Sequence, residues 1–375
     1  MSAYLAIPSF WLFEYFGSIV DNGGLITMDN AEPKSYMLSD DESRAIFERD
    51  IVPAELGHLS ATAELSVSAN GDGRTPLAVL LVGQTGAGKT RTAPAIKSAI
   101  ERLRGRSHLA HFVADTYKTY HPSYTTLLAT RPGLASQATG PDARRWLNMA
   151  ASVAAARRAD VLLESAARYP EDFAQLACLF RTHGYRVEVA VMAVPAPLSR
   201  LGILTRFYEK LPEVGPGGRL PLRLTPRKVH DESYAGLLEA AAFVDSGQSN
   251  EGGTKGRGIV DQVVVVRRDN VVAYANERIP DGAWKRELGT EAAIRQERGR
   301  PLTVYERMGA EFSLGKLRAM NIPGLESQLK EIEGLLKPLL DTPNDSEYAP
   351  LRPLSLPNSV YDEQFNSKAG LRLGV

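Results

Sequence analysis

Apolar residues in this chain fall into two patterns, short unbroken runs and helical stripes, and the two alternate. Leu77-Ala78-Val79-Leu80-Leu81-Val82 is an uninterrupted apolar run, the mark of a strand buried on both faces of a parallel sheet. His111-Phe112-Val113-Ala114, Val161-Leu162-Leu163 and Val187 to Val194, the last interrupted by Glu188, read as further strands. Between the runs lie predicted helices. Ala93–Leu103 follows the first run, and Arg144–Arg157 carries Leu147, Ala150, Ala151 and Ala154 at helical spacing. Phe173, Leu176, Ala177 and Phe180 then make one apolar helical face, ended by His183-Gly184,. Two further helices are predicted over Pro197–Leu211 and Pro226–Phe243, and Val263–Val266 with Val271–Tyr274 reads as a late strand or hairpin about Asp269-Asn270. Such alternation predicts an α/β fold, a parallel sheet with right-handed crossovers flanked by helices. In that architecture ligands sit at the carboxyl ends of the strands.

The flanks read differently. Residues 1–38 are an extension rich in aromatic residues and then in Gly, Asp and Asn, whose order the sequence does not decide. Ser39-Asp40-Asp41-Glu42 is a helix-start signal,, so a core domain is expected over 39–275. Ser246 to Gly258 is a Gly/Ser/Asn linker, expected to form a mobile loop,. Helical segments at Thr290–Arg298, Thr303–Met320 and Leu325–Lys337 predict a helical C-terminal appendage over 276–340. The proline-bearing tail, 341–375, is expected to be extended or disordered. Leu325, Leu329, Ile332 and Leu336 share a helical face, which requires only that it pack on something.

Composition narrows the class. The 375 residues carry 44 Lys+Arg against 44 Asp+Glu, so no overall basic field attracts long nucleic acid or an anionic membrane. The single cysteine, Cys178, excludes an internal disulfide and a cysteine-based zinc site,. No apolar run reaches membrane-spanning length, and the first 20 residues lack a basic leader and contain Glu14,. A soluble cytoplasmic protein is the expectation.

Chemistry enters directly after the first strand. Gly83-Gln84-Thr85-Gly86-Ala87-Gly88-Lys89-Thr90 fits the phosphate-binding loop G-x-x-x-x-G-K-[ST] at every fixed position,. Its glycines let successive N–H groups converge on an anion at a helix N-terminus. Lys89 would reach the outer phosphates of ATP, and the Thr90 hydroxyl would be a ligand of Mg²⁺. Asp115 and Glu164 fall at two further strand ends. A carboxylate at Asp115 could take the proton of an attacking hydroxyl, or simply cap the segment that follows. Neither a GTPase base-recognition motif N-K-x-D nor an apolar strand ending in two adjacent acids is present.

The chain also resembles the zeta toxins, the kinase halves of bacterial toxin–antitoxin pairs. The resemblance runs over about residues 40–275. It rests on the phosphate loop, Asp115-Thr116-Tyr117-Lys118 with His121-Pro122, Glu164 with Arg168, Gly184-Tyr185 and Val191-Met192-Ala193-Val194-Pro195. Arg206-Phe207-Tyr208-Glu209, Arg223-Leu224-Thr225-Pro226 and His230-Asp231 complete it. It implies ATP-dependent transfer of phosphate to the 3′-hydroxyl of the amino sugar in UDP-N-acetylglucosamine, which blocks cell-wall synthesis. It further implies Asp115 as catalytic base, Lys89 and Thr90 on phosphate and Mg²⁺, Arg206 and Arg223 as a phosphate clamp, and Glu164 on the acceptor.

By position Arg168 fits a substrate-phosphate contact. Either arginine of the clamp could instead be a solvated helix-end charge, and Glu164 could pair with Arg168. Two departures stand out: Glu164-Ser165-Ala166 replaces the Glu-Gly-Thr often found in the family, and Asn148 stands where a second acid is expected. The resemblance implies a small helical antitoxin as partner. The C-terminal helices lie outside it, and their apolar face reads as that of a stabilising annex or, as the lesser alternative, an in-cis regulator. Other acceptors, or an ATP-driven switch that phosphorylates nothing, remain as alternatives.

Overall fold

The computed structural model describes residues 33–59, 75–104, 109–210, 224–246, 258–279, 282–340 and 352–353. Most of the N-terminal extension, the centre of the 246–258 linker, Arg223 and nearly all of the tail lie outside the described residues.

The apolar runs form strands β1 (Leu77–Val82), β2 (Leu109–Val113), β3 (Asp160–Ser165), β4 (Arg186–Met192), β5 (Gln262–Val266) and β6 (Val271–Glu277). A two-residue strand, β7 (Arg352–Pro353), adds to the edge, and the order is β2-β3-β1-β4-β5-β6-β7. β1 to β5 are parallel, and β6 returns antiparallel through a hairpin whose turn residue Asn270 has φ of 63°. β1 lies centrally because its six residues are buried on both faces. The chain leaves β1 for β2 and β3 on one side, then crosses to β4 on the other. That reversal of strand order opens a crevice at the carboxyl end of β1.

Ten α-helices are described: α1 (Asp40–Ile46), α2 (Lys89–Arg104), α3 (Tyr124–Thr130), α4 (Pro132–Ala156), α5 (Pro170–Thr182), α6 (Ala196–Lys210), α7 (Arg227–Asp245), α8 (Thr290–Gly299), α9 (Val304–Ala319) and α10 (Leu325–Leu336). The Ser39 signal forms a full capping box with Glu42 at the start of α1,. α4 starts well before the predicted Arg144. Gly133, Gly140 and Pro141 weaken the helical pattern there, yet Ala135 and Ala138 are fully buried. Packing overrides the one backbone bond that Pro141 removes.

The sheet separates two cores by the period-two rule of strands. Ala78, Leu80 and Val82 point into one with Trp146, Phe180 and Tyr185; Leu77, Val79 and Leu81 point into the other. The C-terminal helices belong to these cores. Leu325, Leu329, Ile332 and Leu336 of α10 and Leu314 and Leu317 of α9 enter the second core beside α6, and Ile294 of α8 enters the first.

A buried charge network seats this part on the sheet. Glu297 receives Arg267 from the β5–β6 turn and Arg300, while Arg300 also forks onto Glu306 at 2.7 Å on both oxygens. All but Glu306 are at least 95% buried. Removing one member of such a set strands a partner charge away from water. Glu297→Gln is therefore expected to cost about 3–5 kcal/mol, read as a lower urea midpoint.

Candidate functional site

β1 runs straight into the phosphate loop, and α2 begins at Lys89. Gly86 has φ of 82°, and a Cβ on it would stand 2.0 Å from the Ser199 carbonyl oxygen. Only glycine meets both conditions. Loop N–H groups at the start of α2 then offer the positive end of a helix to an anion.

Lys89 curls back over the loop and donates to the Gly83 carbonyl at 2.5 Å. Loss of hydration lowers its ammonium pKa to about 8, while Asp115 and Glu164 pull it up and Arg206 pushes it down. Three charged groups thus converge on one ammonium. Thr85, Gly86, Gly88 and Thr90 line the groove with it. Gln84 turns the other way: its amide donates to Val194 O at 2.6 Å and reaches Ser199 Oγ at 3.3 Å, fully buried. Gln84 and the buried Ala87 shape the loop from below, and their side chains are not presented to a ligand.

Beneath Gln84, Ser199 Oγ lies 2.8 Å from His230 Nε2, and His230 Nδ1 lies 2.9 Å from Asp231. The atoms are arranged like a nucleophilic triad, but Ser199 and His230 are at most 1% exposed. No substrate reaches them. Burial also lowers the His230 pKa, and the chain works as a brace that fixes Gln84 and the loop.

Asp115 stands two residues past the end of β2, and its side chain makes no capping hydrogen bond to the next turn. The carboxylate is 68% exposed, with Lys118 Nζ 2.6 Å from Oδ1. Glu164 sits within β3 rather than beyond it, nearly buried, and His111 Nε2 on the neighbouring strand β2 holds its Oε1 at 2.9 Å. It does not pair with Arg168, which bonds Glu232 at 2.6 Å instead and lies over the Tyr169 ring.

Two cavities meet here. One, of about 740 Å³, runs along Gly86, Gly88, Thr90 and Arg268 to α9. The other, of about 360 Å³, contains Asn148, Ala166 and Arg168. Lys89, Asp115, Glu164 and Arg206 line both and so mark the junction. Of the residues expected from sequence, Asn148, Glu164 and Arg168 share the smaller cavity and Arg206 stands at the boundary; Arg223 is outside the described residues.

Sequence reasoning missed several neighbours. Asp172 on α5 enters the smaller cavity, 3.3 Å from Arg144 of α4, and burial raises its pKa. Arg268, in the β5–β6 turn, donates to Gly86 O at 3.1 Å and Leu198 O at 3.0 Å. Burial lowers its pKa to about 10. Neither belongs to a contiguous motif, so nothing in the linear sequence marks them. The apolar hairpin around Arg268 and the phosphate loop are each visible in the sequence; that Arg268 braces the loop at Gly86 is not.

Among the described residues no group of three or more His, Cys, Asp or Glu could hold a metal ion, and no helix is long and apolar enough to cross a membrane. Thr90, exposed on the first turn of α2 beside Lys89, suits an ion held mainly by phosphates and water,.

A sheet parallel over its first five strands, with a phosphate loop after β1 and charged residues at adjacent strand ends, defines a P-loop, kinase-like α/β fold. Residues 62–279 match the family model described as Zeta toxin. That is more than half of the chain, and the protein belongs to the zeta toxin family. Toxin PezT of Streptococcus pneumoniae serotype 4 is 29% identical over 161 residues, 42% of this chain and 59% of that protein. Toxin zeta of Streptococcus pyogenes is 30% identical over 158 residues, 42% of this chain and 52% of its own length. The chain thus spans a little over half the length of these curated relatives. A structure from the PezAT chromosomal toxin–antitoxin system of Streptococcus pneumoniae superposes with a TM-score of 0.54 at 20% identity, over 75% of this chain and 98% of that one. That likeness establishes the fold.

Proposed function

We propose that the protein is an ATP-dependent kinase whose acceptor is the 3′-hydroxyl of the amino sugar in UDP-N-acetylglucosamine, and that it is toxic by blocking cell-wall synthesis. The reading rests above all on the junction of the two cavities at Lys89, Asp115, Glu164 and Arg206. A triphosphate in the larger groove and an alcohol in the smaller cavity would meet there.

In the proposed step Asp115 takes the hydroxyl proton as the acceptor oxygen bonds to the γ-phosphorus. The bond from that phosphorus to the bridging oxygen breaks, and ADP leaves. Lys89 and Arg206 offset the charge that spreads over the moving group, with Arg223 proposed to join them. Mg²⁺, held by Thr90 and the phosphates, would neutralise charge on the β and γ oxygens. His111 keeps Glu164 turned toward the acceptor. Residues 39–275 are proposed as the catalytic domain and 276–340 as a helical annex on it. A cytoplasmic location and a small helical antitoxin as partner complete the proposal, a toxin–antitoxin system being what the PezAT structure represents.

A second reading, a different hydroxyl acceptor, draws on the smaller cavity. Asn148 and Ala166 stand in it where the family often has an acid and a threonine, and Asp172 with Arg144 supplies a charge pair from another helix. Incubating the full chain with γ-labelled ATP, Mg²⁺ and a panel of acceptors separates the readings. Label is expected on UDP-N-acetylglucosamine. Label on a nucleoside or antibiotic alone transfers the assignment to that acceptor, and ATP hydrolysis without any labelled acceptor removes the kinase reading.

A further inference from the structure

α9 lies beyond the residues that the family model covers, yet it forms a wall of the phosphate-loop groove through Thr303, Tyr305, Gly309 and Phe312. Its outward side is unusual. Val304, Met308 and Phe312 recur every fourth residue with Tyr305 beside them, and all are at least 60% exposed; Tyr305 reaches 87% and Phe312 73%. Large apolar side chains gathered on one exposed face commonly mark a binding surface. Tyr305 and Phe312 are seven residues apart, two helical turns, so they stand one above the other. Between them is Gly309, where an added Cβ would meet nothing within 4 Å. Two aromatic rings therefore flank an open slot on a helix that shares a groove with Gly86, Gly88 and Lys89.

The helix is firmly seated. Thr303 and Glu306 form a capping box at its start. The Glu306 carboxylate is clamped by Arg300, which is tied through Glu297 to Arg267, next in sequence to the Arg268 that braces Gly86. Lys316 on α9 meets Glu209 of α6 at 2.7 Å, three residues from Arg206. The slot and the phosphate loop are thus held in one register before any ligand arrives.

We propose that Tyr305 and Phe312 form the nucleobase subsite of the nucleotide groove, with the base entering the slot over Gly309. A planar base is the occupant that this chemistry fits. It stacks on aromatic faces, it is joined to phosphates, and the phosphate cradle lies in the same groove. The inference rests on the groove being a nucleoside-triphosphate site, and it makes base recognition a property of the C-terminal helices.

Equilibrium binding of ATP and of inorganic tripolyphosphate to the full chain, each with Mg²⁺, tests it. The unaltered protein is expected to bind ATP about tenfold or more tighter than tripolyphosphate, from the usual strength of base–aromatic stacking. Tyr305→Ala with Phe312→Ala should erase that preference and leave tripolyphosphate binding unchanged. Gly309→Leu should do the same by filling the slot, without lowering the thermal midpoint, since the site is open and leucine favours helix over glycine,. Equal affinity for both probes in the unaltered protein, or an ATP preference that survives these variants, overturns the subsite while leaving the phosphate site standing. Binding of neither probe overturns the nucleotide reading together with the subsite.

Discussion

Asp115→Asn is expected to slow phosphoryl transfer by about 10²–10⁴-fold while ATP affinity stays within about twofold of the parent. The amide matches the carboxylate in shape but cannot take a proton. Asp115 is a surface-facing side chain 68% exposed, whose ion-pair partner is Lys118, so the substitution empties no core. An exposed pair of this kind contributes about 1 kcal/mol or less to stability, and the thermal midpoint should barely move. Single-turnover transfer of labelled phosphate, measured beside equilibrium ATP binding, separates the two quantities. A transfer rate that survives the substitution would remove Asp115 as the base. Loss of both transfer and binding would give it a different role, as a support of the loop.

Lys89→Met should act on binding as well as on transfer. It removes the ammonium that lies against the loop at the junction of the cavities, and a fall in transfer of about 10²–10³-fold or more is expected. Its titration provides a further signature. Because burial lowers the pKa to about 8, the charged form that meets phosphate is lost as pH rises through 8. ATP affinity of the parent protein should therefore decline above pH 8, by at most about tenfold per unit for a single proton, whereas the Lys89→Met protein should lack that step.

Stability moves in the opposite sense. The ordinary lysine value is 10.5, so between about pH 8 and that value the unfolded chain holds a proton that the folded chain has released. By linkage this lysine's contribution to ligand-free stability rises with pH across that window. Calorimetric titration of ATP at pH 7, 8 and 9 gives the first slope. A parent affinity that does not change over this range would show that Lys89 keeps its charge, or that it does not touch the phosphates.

The sequence was most informative where function is local. Gly83 to Thr90 is one contiguous stretch whose backbone conformation is set by its own glycines, and the run Leu77–Val82 announces the buried strand that delivers it. The hairpin at Asp269-Asn270 and the helical stripes of α5 and α10 were legible for the same reason: spacing along the chain encodes which face is apolar. The start of α4 was not, because Gly133, Gly140 and Pro141 oppose a helix that only burial of Ala135 and Ala138 sustains. The partner of Glu164 was not legible either. His111 reaches it across a parallel pairing, whereas Arg168, near it in sequence, is claimed by Glu232 on α7.

What the amino-acid order determined by itself was a phosphate cradle on a parallel sheet, with acids at the neighbouring strand ends. The strand order β2-β3-β1-β4 decided the rest, by bringing Asp115 and Glu164 to the mouth of the loop that follows β1. Tertiary packing also decided that Arg268 braces Gly86, that Gln84 faces inward, and that α9 closes the groove. Each of these joins residues tens to hundreds of positions apart. Local propensity carries no information about such pairs; they follow from burying two apolar faces of one sheet at once.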